Sequence, residues 1–85
     1  MEEFFKAIED RIYATGYQGT VSGSEIYDNI SDEIEDKENG TYIFMIKKEN
    51  DTVYEIKLDV LTDSFNLVYI RITDSTGIYQ AEYDL

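Results

Sequence analysis

The hydrophobic residues of this 85-residue chain change their spacing at Asn39-Gly40. Before that dipeptide they recur every three to four residues, which is typical of an amphipathic helix, and after it they alternate, which is typical of a half-buried strand. A helical half followed by a strand half predicts an α+β domain. We therefore expect two N-terminal amphipathic helices packed on one face of a four-stranded antiparallel β-meander.

The helical half contains two apolar patterns of the same form. In each, four apolar residues fall at i, i+1, i+4 and i+8, so they share one helix face. They are Phe4, Phe5, Ile8 and Ile12 in the first pattern, and Ile26, Tyr27, Ile30 and Ile34 in the second. Ser22 and Glu25 have the spacing of a capping box at the start of the second helix, and Gly16 is expected to cap the end of the first. The predicted helices span about 2–15 and about 23–37, with Asn39-Gly40 ending the second.

The strand half predicts four strands separated by short polar turns. Their ranges are about 41–48, 52–61, 65–73 and 78–83. Residues expected to share a face within a strand are Tyr54, Ile56, Leu58 and Val60, then Val68, Ile70 and Ile72, and finally Tyr79, Ala81 and Tyr83.

The first and third strands carry apolar residues on both faces. Either both faces of the sheet are partly covered, or the outer face has an apolar patch for a partner. Residues expected to contribute to that outer face are some of Tyr42, Phe44, Leu67 and Tyr69, beside Lys57, Asp59, Arg71 and Gln80.

The charge balance limits the classes of partner. Seven Lys and Arg against nineteen Asp and Glu give a formal net charge of −12. This charge repels DNA, RNA and anionic membranes and attracts basic protein surfaces. Because 42% of the residues are hydrophobic, we expect a folded chain and not a disordered one.

The chain is short enough for one domain, residues 1–85. No apolar run approaches the roughly 20 residues of a membrane span. The N-terminal sequence MEEFFKAIED carries acids where a signal peptide would carry basic residues. We therefore expect a soluble, cytoplasmic protein.

The chain has neither histidine nor cysteine. The usual general base, the commonest zinc ligands and the thiol nucleophile are missing, which disfavours an enzyme, a soft-metal site or a cofactor. A calcium loop with Gly40 at its sixth position would place Lys37 and Ile46 where the third and twelfth ligands must be, so an EF-hand is excluded. The sequence predicts a noncatalytic protein without a cofactor.

The predicted second helix separates its apolar and acidic faces. Residues 25–38 hold seven acids and one lysine, a net charge of −6 and half that of the chain. On a helical wheel the acids lie opposite the isoleucines and follow one another at about 5 Å along the axis. The residues predicted to bind a partner are Glu25, Asp28, Asp32, Glu35, Asp36 and Glu38. A solvated helix face is the alternative interpretation of the same pattern.

In length, charge and an acidic helix beside a small sheet, the chain resembles small acidic phage-encoded inhibitors, such as anti-CRISPR proteins and other DNA mimics. The features that carry this resemblance are residues 25–38 and the overall composition. It implies a monomer or homodimer that competes with DNA or RNA for a host nuclease.

The sequence leads to one functional hypothesis and two alternatives. The hypothesis is an inhibitor that occupies the basic nucleic-acid-binding surface of a partner enzyme. The first alternative is an immunity protein or antitoxin that neutralises a cationic toxin. The second is a soluble domain whose acidic face meets only water.

Overall fold

The computed structural model describes residues 1–83 and contains two helices followed by four strands. These are α1 (Glu2–Tyr13), α2 (Gly23–Ile34), β1 (Gly40–Lys47), β2 (Val53–Val60), β3 (Phe65–Asp74) and β4 (Gly77–Glu82). The strands form one antiparallel sheet in the order β1-β2-β3-β4. The predicted α+β architecture is confirmed.

The core lies between the helices and one face of the sheet. In β2 the inward side chains of Tyr54, Ile56, Leu58 and Val60 are all buried, as their alternation predicts. The helices contribute four isoleucines to the same apolar cluster: Ile8, Ile12, Ile26 and Ile30. One continuous core therefore joins both helices to the sheet.

Both helices end earlier than predicted. Helix α1 ends at Tyr13, and residues 14–16 form a turn in which the Gly16 amide donates to the Tyr13 backbone oxygen at 3.0 Å. Gly16 has a φ of +95°, a left-handed conformation that glycine adopts without steric cost. It therefore closes this turn and does not cap the helix directly.

The C-terminal strand begins and ends one residue earlier than predicted. Strand β4 ends at Glu82, and Tyr83 follows it. Tyr83 still packs against the core, as do Tyr79 and the buried Ala81, so the predicted inward face of this strand is confirmed. The last two residues of the predicted domain, Asp84 and Leu85, lie outside the described residues.

A β-bulge in β3 interrupts the alternation that the sequence predicts for this strand. Lys57 pairs with Tyr69, but the next residue, Leu58, pairs with Leu67, so Val68 is an extra residue in the ladder. One inserted residue shifts every side chain before it to the opposite face. Leu67 is consequently buried, whereas Val68 is only partly buried, unlike Ile70 and Ile72.

The outer face of the sheet is polar at its centre. Arg71 donates to the Glu55 carboxylate at 2.9 Å and to Gln80 at 2.8 Å, while the Tyr69 hydroxyl donates to Glu55 at 2.5 Å. Of the four apolar residues expected there, only Tyr69 lies on this face, because Tyr42, Phe44 and Leu67 face the core. The exposed apolar side chains of the outer face lie on the edge strands: Ile43, Met45 and Ile78.

The outer face is also electrically balanced. The strand register places three cations and three acids on it: Lys47, Lys57, Arg71, Glu55, Asp59 and Glu82. These charges cancel, so the formal charge of −12 comes from the rest of the chain.

Candidate partner-binding site on the acidic face of helix α2

Three groups fix the start of α2. The Ser22 hydroxyl accepts a hydrogen bond from the Glu25 amide at 3.2 Å, which confirms the predicted serine cap. The Gly23 amide donates to the Glu9 carboxylate of α1 at 2.7 Å. A complete capping box would also require the Glu25 carboxylate to bond to the Ser22 amide. This carboxylate pairs with Lys48 instead. Helix α2 is thus tied at its start to both α1 and the sheet.

Gly23 allows the two helices to approach closely. A Cβ atom at this position would lie 2.2 Å from the backbone oxygen of Phe5 in α1. Since that contact involves backbone, relief would require the helices to move apart. The identity of residue 23 therefore sets the position of α2 over the sheet.

The two faces of α2 separate as the sequence predicts. Ile26 and Ile30 are 1% and 0% exposed. Asp28 and Asp32 are exposed to solvent, as is Glu33. The core anchors one side of the helix and directs the carboxylates of the other side outward.

The prediction that α2 extends to residue 37 is wrong, and this changes the setting of three predicted site residues. The helix ends at Ile34, and Glu35 is its C-cap with helical backbone angles. Asp36 and Glu38 lie in the segment between α2 and β1, where both are exposed. After Ile34 no apolar residue is available for burial until β1. Acids at a helix C-terminus also meet the negative end of the helix dipole, so the helix ends early.

The short segment 35–39 is attached to β1 through Tyr42. The Tyr42 hydroxyl donates to the Glu38 backbone oxygen at 2.7 Å. The Lys37 amine lies 5.9 Å from the centre of the Tyr42 ring, a cation–π distance. The acids that follow α2 are therefore held near the helix by a contact with the sheet.

Most of the acidic residues lack an ionic partner. Of the six predicted site residues, Glu25 forms a salt bridge, with Lys48. The other five, Asp28, Asp32, Glu35, Asp36 and Glu38, form none within residues 1–83. Their charges are available to an external cation.

The arrangement of these acids is extended and not convergent. Glu25, Asp28, Asp32 and Glu35 fall within eleven residues, and the ten steps of about 1.5 Å between the first and the last give about 15 Å. Across residues 1–83 the structure brings together no group of three or more side chains able to hold a metal ion. A row of this kind matches an extended cationic surface.

An aromatic groove beside the acidic row is the feature that sequence reasoning missed. Tyr27 of α2 packs against Phe4 and Phe65, with ring centroids 5.8 and 6.1 Å apart. These side chains line an open groove of about 600 Å³ that also contains Glu35 and the half-exposed Leu61. The apolar pattern of α1 and α2 places Phe4 and Tyr27 toward the core, but the participation of Phe65 depends on the tertiary fold. We call this feature the aromatic groove.

The fold and the site together define a small α+β domain with an acidic helix face next to an aromatic groove. Comparisons of the chain with protein-family models, with curated proteins and with solved structures give no match. No helix within residues 1–83 combines the length and apolar character needed to cross a membrane.

Proposed function

We propose that the protein is a noncatalytic acidic binding protein that occupies the basic nucleic-acid-binding surface of a partner enzyme. The observation that supports this proposal is the row of exposed carboxylates on α2, among which Asp28, Asp32 and Glu35 have no ionic partner within residues 1–83. Duplex DNA presents one phosphate per about 3.4 Å on each strand. Carboxylates about 5 Å apart on a helix can occupy part of a surface built for such phosphates.

The energetic cost of the acidic row supports a functional role. Asp28 and Asp32 are four residues apart within α2, and a like-charge pair at this spacing destabilises a helix by about 0.2–0.5 kcal/mol. Mixed pairs of Glu and Lys would provide solubility without this repulsion. A surface that keeps avoidable repulsion is typical of a functional site.

The aromatic groove supports a protein partner. Tight protein interfaces combine charged contacts with a few apolar anchors in pockets. Phe4 and Leu61 are 39% and 42% exposed beside the groove, so an apolar side chain of the partner could bury against them. The proposed interface therefore has an electrostatic part on α2 and an apolar part in the groove. We place it in the cytoplasm, where a nucleic-acid enzyme acts.

The test is capture of binding proteins from host lysate on three immobilised baits. The wild-type chain is compared with the Asp28→Lys, Asp32→Lys double variant. The third bait, the Glu3→Lys, Glu49→Lys variant, makes the same change in net charge at exposed positions off the row. We expect the wild type and the control to retain the same basic protein and the α2 variant to lose it.

Elution distinguishes the proposed mechanism from general charge attraction. The captured protein should be released by moderate salt, because screening weakens exposed charge contacts, and by duplex DNA or RNA, because the same surface is occupied. Retention by the α2 variant would contradict the proposal. So would a ternary complex of the chain, its partner and nucleic acid.

The immunity or antitoxin function uses the same surface and gives a different result. A cationic toxin would be captured through Asp28 and Asp32 but need not be released by nucleic acid. Its expression alone would arrest growth, and co-expression of this chain would restore it. The groove is compatible with this partner as well, since it fits any protein with a protruding apolar side chain.

A further inference from the structure

Strand β1 has the longest uninterrupted apolar run of the sheet and is also its least buried strand. Five consecutive apolar residues occupy positions 42–46. No residue of β1 is buried, whereas every second residue of β2 is. Tyr42, Phe44 and Ile46 are only partly covered by the core, and Ile43 and Met45 are 57% and 61% exposed on the outer face. Burial within one chain does not account for this composition.

The free edge of β1 also lacks the devices that prevent strands from pairing. Natural edge strands are interrupted by proline, by charges in mid-strand or by a covering element. Strand β1 has no proline and no charge before Lys47, at its end. The opposite edge strand, β4, differs from β1 because a side chain of α1 contacts its backbone: Arg11 donates to the Glu82 backbone oxygen at 3.0 Å.

We propose that β1 pairs with β1 of a second copy of this chain, antiparallel and about a two-fold axis through Phe44. The two sheets would then join into one sheet of eight strands. This inference goes beyond the acidic-face function and does not depend on it.

The position of the axis follows from the alternation of the strand. Directly opposed residues in an antiparallel pair point to the same face. With the axis at Phe44, Ile43 lies opposite the second copy's Met45 on the outer face. Tyr42 then lies opposite Ile46 on the inner face. This register buries the two exposed apolar side chains of β1 against each other.

Charge complementarity identifies a second copy as the occupant. Residues 40–48 contain two lysines and no acid in a chain of charge −12, so this edge is where two copies repel each other least. Acids precede the strand, including Glu38, and Lys47 and Lys48 follow it. Antiparallel pairing brings the lysine end of each strand beside the acidic end of the other, and it separates like ends.

The test uses two substitutions that suit the isolated fold but oppose self-pairing. Ile43 and Met45 face Lys57 and Glu55 across the β1–β2 ladder. Ile43→Glu and Met45→Lys therefore each gain an opposite charge within the chain, so both variants should fold. In a dimer of either variant, the two-fold symmetry places the new charge against an apolar side chain of the other copy at two positions. We expect the dissociation constant of the dimer to rise about tenfold or more.

Mass in solution provides the readout, by light scattering and sedimentation over a range of concentrations. The monomer mass is 9.9 kDa, so a dimer is about 20 kDa. We expect a wild-type dimer, two weakened variants, and recovery of the dimer when the variants are mixed. Recovery is expected because the axis at Phe44 places position 43 of one copy opposite position 45 of the other. The glutamate of Ile43→Glu then lies opposite the lysine of Met45→Lys, and no other register pairs these two positions.

Ile78→Glu is the matched control. Ile78 is 68% exposed on the same outer face but on β4, so this variant should remain dimeric. Loss of the dimer in Ile78→Glu would indicate face-to-face packing and overturn the proposal. A wild-type chain that stays monomeric would overturn it too, as would a dimer unaffected by Ile43→Glu and Met45→Lys.

Discussion

At the residue scale, Gly23 and Tyr54 show how single side chains control this fold. Gly23 permits the close crossing of α1 and α2, and Tyr54 places a hydroxyl-bearing ring in the core with 4% exposure. The sequence predicted burial of Tyr54 from its strand alternation. It did not predict the crossing at Gly23, because a close backbone approach between helices depends on their relative position.

Gly23→Ala should destabilise the protein, although alanine is the better helix former. A Cβ atom 2.2 Å from the Phe5 oxygen forces α1 and α2 apart, and overpacking of this kind costs about 1–3 kcal/mol. Urea unfolding measures the free energy change. Ser24→Ala, at the next and exposed position, is the control and should change it by less than about 0.5 kcal/mol. Stabilisation by Gly23→Ala, which helix propensity alone predicts, would show that the crossing is not tight.

Tyr54 should make the fold sensitive to alkaline pH. Burial is the main cause that raises the pKa of Tyr54 from 10.0 to about 12 in the folded protein. The fold favours the neutral phenol, so its contribution is complete below pH 10 and is lost as the pH rises through 12. We expect the free energy of unfolding to fall over this interval, and to fall less in Tyr54→Phe.

The comparison requires unfolding curves of both proteins at several pH values. Burial also raises the pKa of Tyr83, whose hydroxyl donates to the Ile8 backbone oxygen at 2.7 Å. Some alkaline destabilisation should therefore remain in Tyr54→Phe. Parallel curves for the two proteins would argue against a role for the Tyr54 hydroxyl.

At the element scale, periodicity predicted the type and order of all six elements but not where each is interrupted. The bulge in β3 is invisible in the sequence because Leu67 and Val68 are both apolar, so either can face the core. The early end of α2 has a sequence signal. Acids from residue 35 onward oppose the helix dipole, and no apolar residue continues the buried stripe.

The candidate site was also predictable only in part. The acidic face was predictable because the isoleucines fix which side of α2 is buried. The pairing of Glu25 with Lys48 joins residues 23 positions apart, and the groove adds Phe65 from β3 to residues of α1 and α2. Neither contact follows from local periodicity, because both depend on how the helices lie over the sheet.

At the scale of the whole molecule, the uneven distribution of charge is the dominant property. The described chain measures 37 × 25 × 19 Å. At low ionic strength of about 0.01 M, the screening length of about 30 Å is comparable to those dimensions. Most pairs of its excess acids therefore repel one another across the molecule.

Salt should consequently stabilise the isolated protein. Raising NaCl to about 0.15 M shortens the screening length to about 8 Å and suppresses the internal repulsion. We expect the thermal midpoint to rise. The rise should be smaller for the Asp28→Lys, Asp32→Lys variant, whose net charge is −12 + 4 = −8. A midpoint that is constant or falls with salt would show that repulsion between the acids does not limit stability.

The neutral outer face of the sheet displaces the centre of the negative charge toward the helical side of the molecule. Because the excess negative charge lies off that face, the field of an approaching cationic surface exerts a torque on the molecule before any contact forms. It turns the helical side toward the partner and the sheet away from it. A greater fraction of diffusive encounters then begins in the productive orientation. The asymmetric charge distribution should therefore increase the association rate beyond what net charge alone provides.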